Sequence, residues 1–146
     1  MQTLQLPEVR TLSPSDVHAI LARNIIGRIA FPMSGEIEIR PLSYVYGDGS
    51  IYLRSSATAK LSATDPDGTP VGFEVDEIHS MSRWVSVVVR GTLFRLRRAQ
   101  QPEEWSRAVE RLRWLTPVAL RDRDQAPHRT EIFRVLIRDA TGRAMG

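Results

Sequence analysis

The stretch "EIEIRPLSYVYGDGSIYLRS" (residues 36–55) alternates polar and apolar residues on both sides of a four-residue turn. Alternation with a period of two is the mark of a half-buried strand, and "GDGS" (47–50) supplies the left-handed backbone that a tight hairpin demands. The run 36–46 is therefore expected to fold back antiparallel on 51–55. Pro41 interrupts it and has no N–H for a ladder, which places it at a sheet edge or a bulge.

Working outward, "IIGRIAFP" (25–32) reads as a strand ended by proline, and Ser13-Pro14-Ser15-Asp16 opens a helix reaching about Arg23. That opening combines a cap residue, a proline at the first helical position and an acid in the first turn, ahead of Val17, Ile20 and Leu21 at helical spacing. Downstream, "TDPDGTP" (64–70) is loop, while "VGFEVDEI" (71–78) and "WVSVVVRGTLFRL" (84–96) are β-branched strand runs. In "PEEWSRAVERLRWL" (102–115), Trp105, Val109, Leu112 and Leu115 share one helical face, and "EIFRVLIRD" (131–139) is a last strand. Five or six sequential strands with a helix before them and one inserted late predict a mainly β fold, a small antiparallel barrel closed on itself with flanking helices.

The chain has 146 residues, 42% of them hydrophobic, with a net charge of +3 and no cysteine. One domain over 1–146 is expected, burying roughly 70% of its unfolded surface. The lack of cysteine excludes disulfides and thiolate metal sites, and the N-terminal decapeptide has no apolar core of the signal-peptide kind. A cytoplasmic protein with no membrane span is the expectation. The basic charge is dispersed among 17 acids, a pattern of solvated surface rather than of a nucleic-acid face.

His18, His79 and His128 lack metal-ligand spacing, and Glu74 and Asp76 share a strand face as any wet strand face would arrange them. No nucleophile elbow or dinucleotide glycine pattern occurs. What stands out is charge chemistry after residue 53. Nineteen arginines accompany a single lysine, Lys60, which follows Arg54, Ser55, Ser56 and Thr58 at a strand end. Cations, hydroxyls and free backbone N–H groups together suit a phosphate. The run 84–96 adds a second clue, since Val85 to Val89 is apolar on both alternating faces and needs a cover such as a second copy of the chain.

The order "GRIAF", "RPLSYVYGDGSIYLRSSATAK", "PVGFEVDEI", "RWVSVVVRGTLFRL" and "ATGR" resembles the pyridoxamine 5′-phosphate oxidase-like FMN-binding split-barrel family, closest to its small bacterial, nitroimidazole-reductase-like members. The resemblance implies an antiparallel split β-barrel homodimer binding FMN, acting as an oxidoreductase on a small molecule. It implies that Arg54, Ser55 and Ser56 line the ribityl and phosphate end, that Lys60 binds the phosphate, and that Pro41, Leu42, Ser43 and Tyr44 lie along the isoalloxazine. Trp84, Ser86 and Val87 would complete the site near the dimer interface. Ala59 stands where the family often has glycine, and Ser55 where it often has threonine. Tyr44 and Arg90 are the candidate proton donors. Two other readings stay open: deazaflavin or haem in the same barrel, haem calling on His79 or His128 as axial ligand, and a non-catalytic flavin-binding module.

Overall fold

Ser13 caps the first helix as the sequence predicts: its Oγ accepts the Asp16 N–H at 3.1 Å, and α1 runs Pro14–Arg23 with Val17, Ile20 and Leu21 buried. The computed structural model describes residues 8–146; residues 1–7, part of the stretch read for a targeting signal, lie outside them. Eight strands follow the chain: β1 Val9–Thr11, β2 Ile26–Met33, β3 Glu36–Ser43, β4 Val45–Gly47, β5 Ser50–Ser55, β6 Thr69–Ser80, β7 Arg83–Leu96 and β8 Glu131–Met145. A short 3-10 turn covers Lys60–Ala63, and α2 spans Pro102–Leu115. No helix among the described residues is long and apolar enough to cross a membrane.

All pairings are antiparallel, in the order β3-β2-β6-β7-β8-β5-β4, with β1 added to the end of β8. The architecture is the antiparallel split β-barrel that the sequence predicts, but the ladder does not close on itself. β3 and β4 are its two edges. Pro41 sits on the edge strand β3, opposite Arg28, where its missing donor breaks no second ladder.

Three expectations are corrected. The run 36–46 is two strands rather than one: β3 pairs only with β2, whereas Val45–Gly47 alone forms the hairpin with β5, across a turn at Asp48 (φ 54°) and Gly49 (φ 67°). Tyr44 causes the division. Its ring enters the core, its N–H donates to Ile25 O at 3.0 Å and its hydroxyl to Leu21 O at 2.7 Å, so the chain leaves one edge and joins the other there. Next, β8 continues six residues past Asp139, through "ATGR", because a bulge at Arg138 resets its alternation against β7. A Cβ at Gly91, beside that bulge, would stand 2.4 Å from Leu136 O. Finally, Val85, Val87 and Val89 all face inward, leaving Trp84, Ser86, Val88 and Arg90 as the outer row of β7. The double-sided apolarity of 85–89 reduces to Val88.

Two hydrophobic clusters result. The larger fills the barrel, joining Ile29, Phe31, Tyr44, Leu53, Phe73, Val87 and Phe133 with the buried side of α1. The smaller lies on the opposite face of β4, β5 and the start of β8, where Val45, Tyr52 and Ile132 meet Ala108, Val109 and Leu112 of α2.

Candidate functional site

Strand alternation decides where Arg54 points. Leu53 fills the barrel while Tyr52 faces α2, so Arg54 shares the side of Tyr52. Its guanidinium there meets the segment that links α2 to β8. Arg54 donates to both carboxylate oxygens of Asp124, at 2.8 and 2.7 Å, and to Ala126 O at 3.2 Å. Asp124 accepts two more hydrogen bonds, from Leu120 N at 2.9 Å and Ala126 N at 3.0 Å. Its side chain is 2% exposed and that of Arg54 10%. The Arg54 guanidinium holds the Asp124 carboxyl well below the usual carboxylate range, and the two backbone donors help it outweigh desolvation.

After β5 the chain turns tightly: Ser62 Oγ donates to Ser56 O at 2.7 Å, and Ser62 N to Ala59 O at 3.0 Å. This turn aims Lys60 back across the open edge of the sheet, where Nζ donates to Glu38 Oε1 at 2.6 Å. Arg40, two residues along β3 on the same face, approaches the other oxygen of Glu38 at 3.0 Å. The hydrogen bond from Lys60 is the main cause of a lowered Glu38 pKa.

Between β3 and this turn opens a cavity of about 430 Å³. That volume lies within the range of small-molecule and cofactor sites. Ile26, Pro41, Leu42 and Leu61 give it an apolar wall; Ser43, Ser55 and Ser56 contribute hydroxyls. Arg40, Arg54, Lys60 and Arg129 contribute cations, and His128 stands beside Arg129. A second cavity of about 180 Å³ adjoins it toward α2, sharing Ser43, Arg54 and Arg129.

Of the sequence-derived candidates, Pro41, Leu42, Ser43, Arg54, Ser55, Ser56 and Lys60 converge on this one cavity, with Ala59 among its lining. Tyr44 lies in the core, and burial pushes its phenol pKa up. Val87 is fully buried, while Trp84 and Ser86 stand half-buried outside the cavity wall. Arg90 is on the outer face of β7, 3.8 Å from Asp139. His18 contacts the Tyr46 hydroxyl, and His79 is exposed on β6. Among the described residues no three His, Cys, Asp or Glu side chains gather as metal ligands would.

Sequence reasoning passed over Arg40 on β3 and, in the segment before β8, Asp124 and Arg129; it weighed His128 only as a metal or haem ligand. Nothing in "RDRDQAPHRT" (121–130) distinguishes Asp124 and Arg129 from solvated charge in a chain so rich in arginine. Only the return of that segment over β5 brings them to the cavity.

A protein-family model described as pyridoxamine 5′-phosphate oxidase matches residues 13–144. Comparison with curated proteins gave no match. Among solved structures, the chain is similar to an FAD-binding protein from Mesorhizobium loti, at 32% identity and a TM-score of 0.66, covering 94% of this chain and 99% of that one. It is also similar to the FAD binding protein from Mycobacterium smegmatis, at 24% identity and a TM-score of 0.65, covering 95% and 100%. An FAD and heme binding protein from Mycobacterium smegmatis shares the fold at 13% identity and a TM-score of 0.68, over 94% of this chain and 73% of that one.

Proposed function

Since the chain belongs to the pyridoxamine 5′-phosphate oxidase family, we propose that its cavity binds a flavin nucleotide, FMN, and that the protein is a flavin-dependent oxidoreductase acting on a small molecule. The observation that carries this reading is the division of one cavity into an apolar wall and a polar end. Ile26, Pro41, Leu42 and Leu61 suit the face of an aromatic ring system, and the serine hydroxyls with Lys60 and its neighbouring cations suit a phosphate. The flavin supplies the redox chemistry when bound; the chain supplies place and electrostatics. The FAD bound by the two similar proteins named first supports the flavin class.

The same reading includes a homodimer. Ile26, 58% exposed, lies both on the rim of the cavity and on the outer face of β2. A second copy laid on that face would exclude water from the cavity mouth and from the exposed isoleucines beside it.

Titrating the ligand-free protein with FMN and with riboflavin tests the assignment. FMN should bind at least about tenfold tighter, and Lys60→Ala should weaken FMN by about ten- to a hundredfold while leaving riboflavin unchanged, since charge-assisted hydrogen bonds contribute about 1.5–3 kcal/mol each. Equal affinities for the two flavins would place the phosphate elsewhere and overturn the assignment.

A further inference from the structure

Four cations line the larger cavity, and three of them already face a carboxylate. Arg54 is closed on Asp124, while Lys60 and Arg40 share Glu38. Arg129 is different: among the described residues no acid lies within 4.0 Å of its guanidinium, and it borders both cavities at their junction. We propose that Arg129 is the principal guanidinium for the ligand's phosphate, in place of Arg54, an assignment that rests on the flavin reading only for the identity of the ligand.

The energetics separate the two arginines. Diverting Arg54 toward a ligand would leave the Asp124 carboxylate buried without its cation, and breaking a buried pair is strongly unfavourable. Arg129 loses no ion pair on binding an anion, so its full attraction is available. The charge balance agrees. Asp124 cancels Arg54, and Glu38 cancels one of Lys60 and Arg40, so the cavity keeps two net positive charges, one of them Arg129. A phosphate monoester carries close to two negative charges at neutral pH.

The placement of Arg129 is built in. Ala126 O accepts from Arg54 Nη2 at 3.2 Å and from the Arg129 backbone N–H at 3.0 Å, while Asp124 holds the Ala126 N–H. The ion pair therefore serves as the anchor by which β5 fixes the turn that carries Arg129. Arg54 contributes through that anchor rather than by contact with the ligand.

Two probes measured on the parent, Arg129→Ala and Arg129→Lys test the proposal: flavin fluorescence quenching with FMN and riboflavin, and ³¹P line broadening with inorganic phosphate. Arg129 is exposed and among the described residues makes no side-chain hydrogen bond, so its replacement should leave the fold intact. Arg129→Ala should lower FMN affinity about ten- to a hundredfold and reduce phosphate broadening, with riboflavin unchanged, and Arg129→Lys should restore part of the loss. Arg129→Ala binding FMN and phosphate as the parent does would overturn the assignment while leaving the flavin reading standing. A parent that takes up phosphate through Arg129 yet binds neither flavin would defeat the flavin reading instead, and the Arg129 assignment would survive it.

Discussion

Over β4, β5 and the start of β8 the outer face of the sheet carries Val45, Tyr52 and Ile132, and α2 covers all three. Over β2, β3 and β7 the outer face carries Ile26, Ile37, Ile39 and Val88, and among the described residues no element covers them. Ile39 is 60% exposed and Val88 39%, whereas Ile132 is 1% exposed. The residue types are alike; what differs is whether the chain brings its own lid. The sheet is thus covered by its own chain on one side and bare on the other, where the proposed second copy would lie. The cavity lies where the two regimes meet, lined by the rim residue Ile26 and by Arg54 beneath the α2 segment.

The largest effect expected from this contrast comes from charging the uncovered face. Val88→Asp would set like charges against each other across a two-fold contact, next to Glu74 on the neighbouring strand. Because such juxtapositions cost several kcal/mol, the dissociation constant should rise about a thousandfold or more. Light scattering during gel filtration reads the outcome directly: a parent of twice 16.5 kDa and a variant of 16.5 kDa. A parent that runs as a monomer would remove the dimer from the proposed function.

A smaller effect follows from truncation on each side. Leu112→Ala opens a hole under α2 and should cost about 2–5 kcal/mol in denaturant unfolding. The same experiment on Ile39→Ala, made in the monomeric Val88→Asp background, should register about 0.5 kcal/mol or less, as for an ordinary surface position. Similar losses at the two sites would mean that the exposed face is covered within one chain.

The smallest effect is one of pH, and its sign differs between the two regions. Asp124, beneath the α2 segment, has its carboxyl pKa lowered by Arg54, so its contribution to stability is full above the ordinary aspartate value and is lost as pH falls through the lowered one. Asp124→Asn should therefore lower the melting temperature at pH 7, with the difference shrinking below about pH 4. Glu74, on the uncovered face, is shifted the other way, first by desolvation and then by Asp76, with Arg28 opposing. Its ionisation costs stability as pH rises past the ordinary glutamate value, so Glu74→Gln should raise the melting temperature at pH 7 and change nothing near pH 3. Melting curves of the two variants that shift in parallel with pH would contradict this assignment of opposite signs.

Much of the fold was legible in the residues themselves. The Ser13 cap, the alternation of β3, the β-branched run of β7 and the apolar stripe of α2 are local signals, decided by neighbours within a few positions. The site was legible as chemistry: "RSSATAK" (54–60) offers phosphate donors wherever it is placed. It was not legible as geometry, because nothing local says that Arg54 turns away to Asp124, seventy positions on, or that Arg129 takes the open place at the cavity.

Alternation and turn chemistry, acting over two to four residues, determined that this chain forms antiparallel strands with one helix early in the series and one inserted before the last strand. The tertiary structure alone decided that Tyr44 ends one edge strand and begins the other, because that choice depends on a core pocket built by Leu21, Phe73 and the rest of the barrel. It decided likewise which ion pairs form, since a carboxylate selects its cation by the distance left after packing, and that distance belongs to the assembled sheet and not to any stretch of sequence.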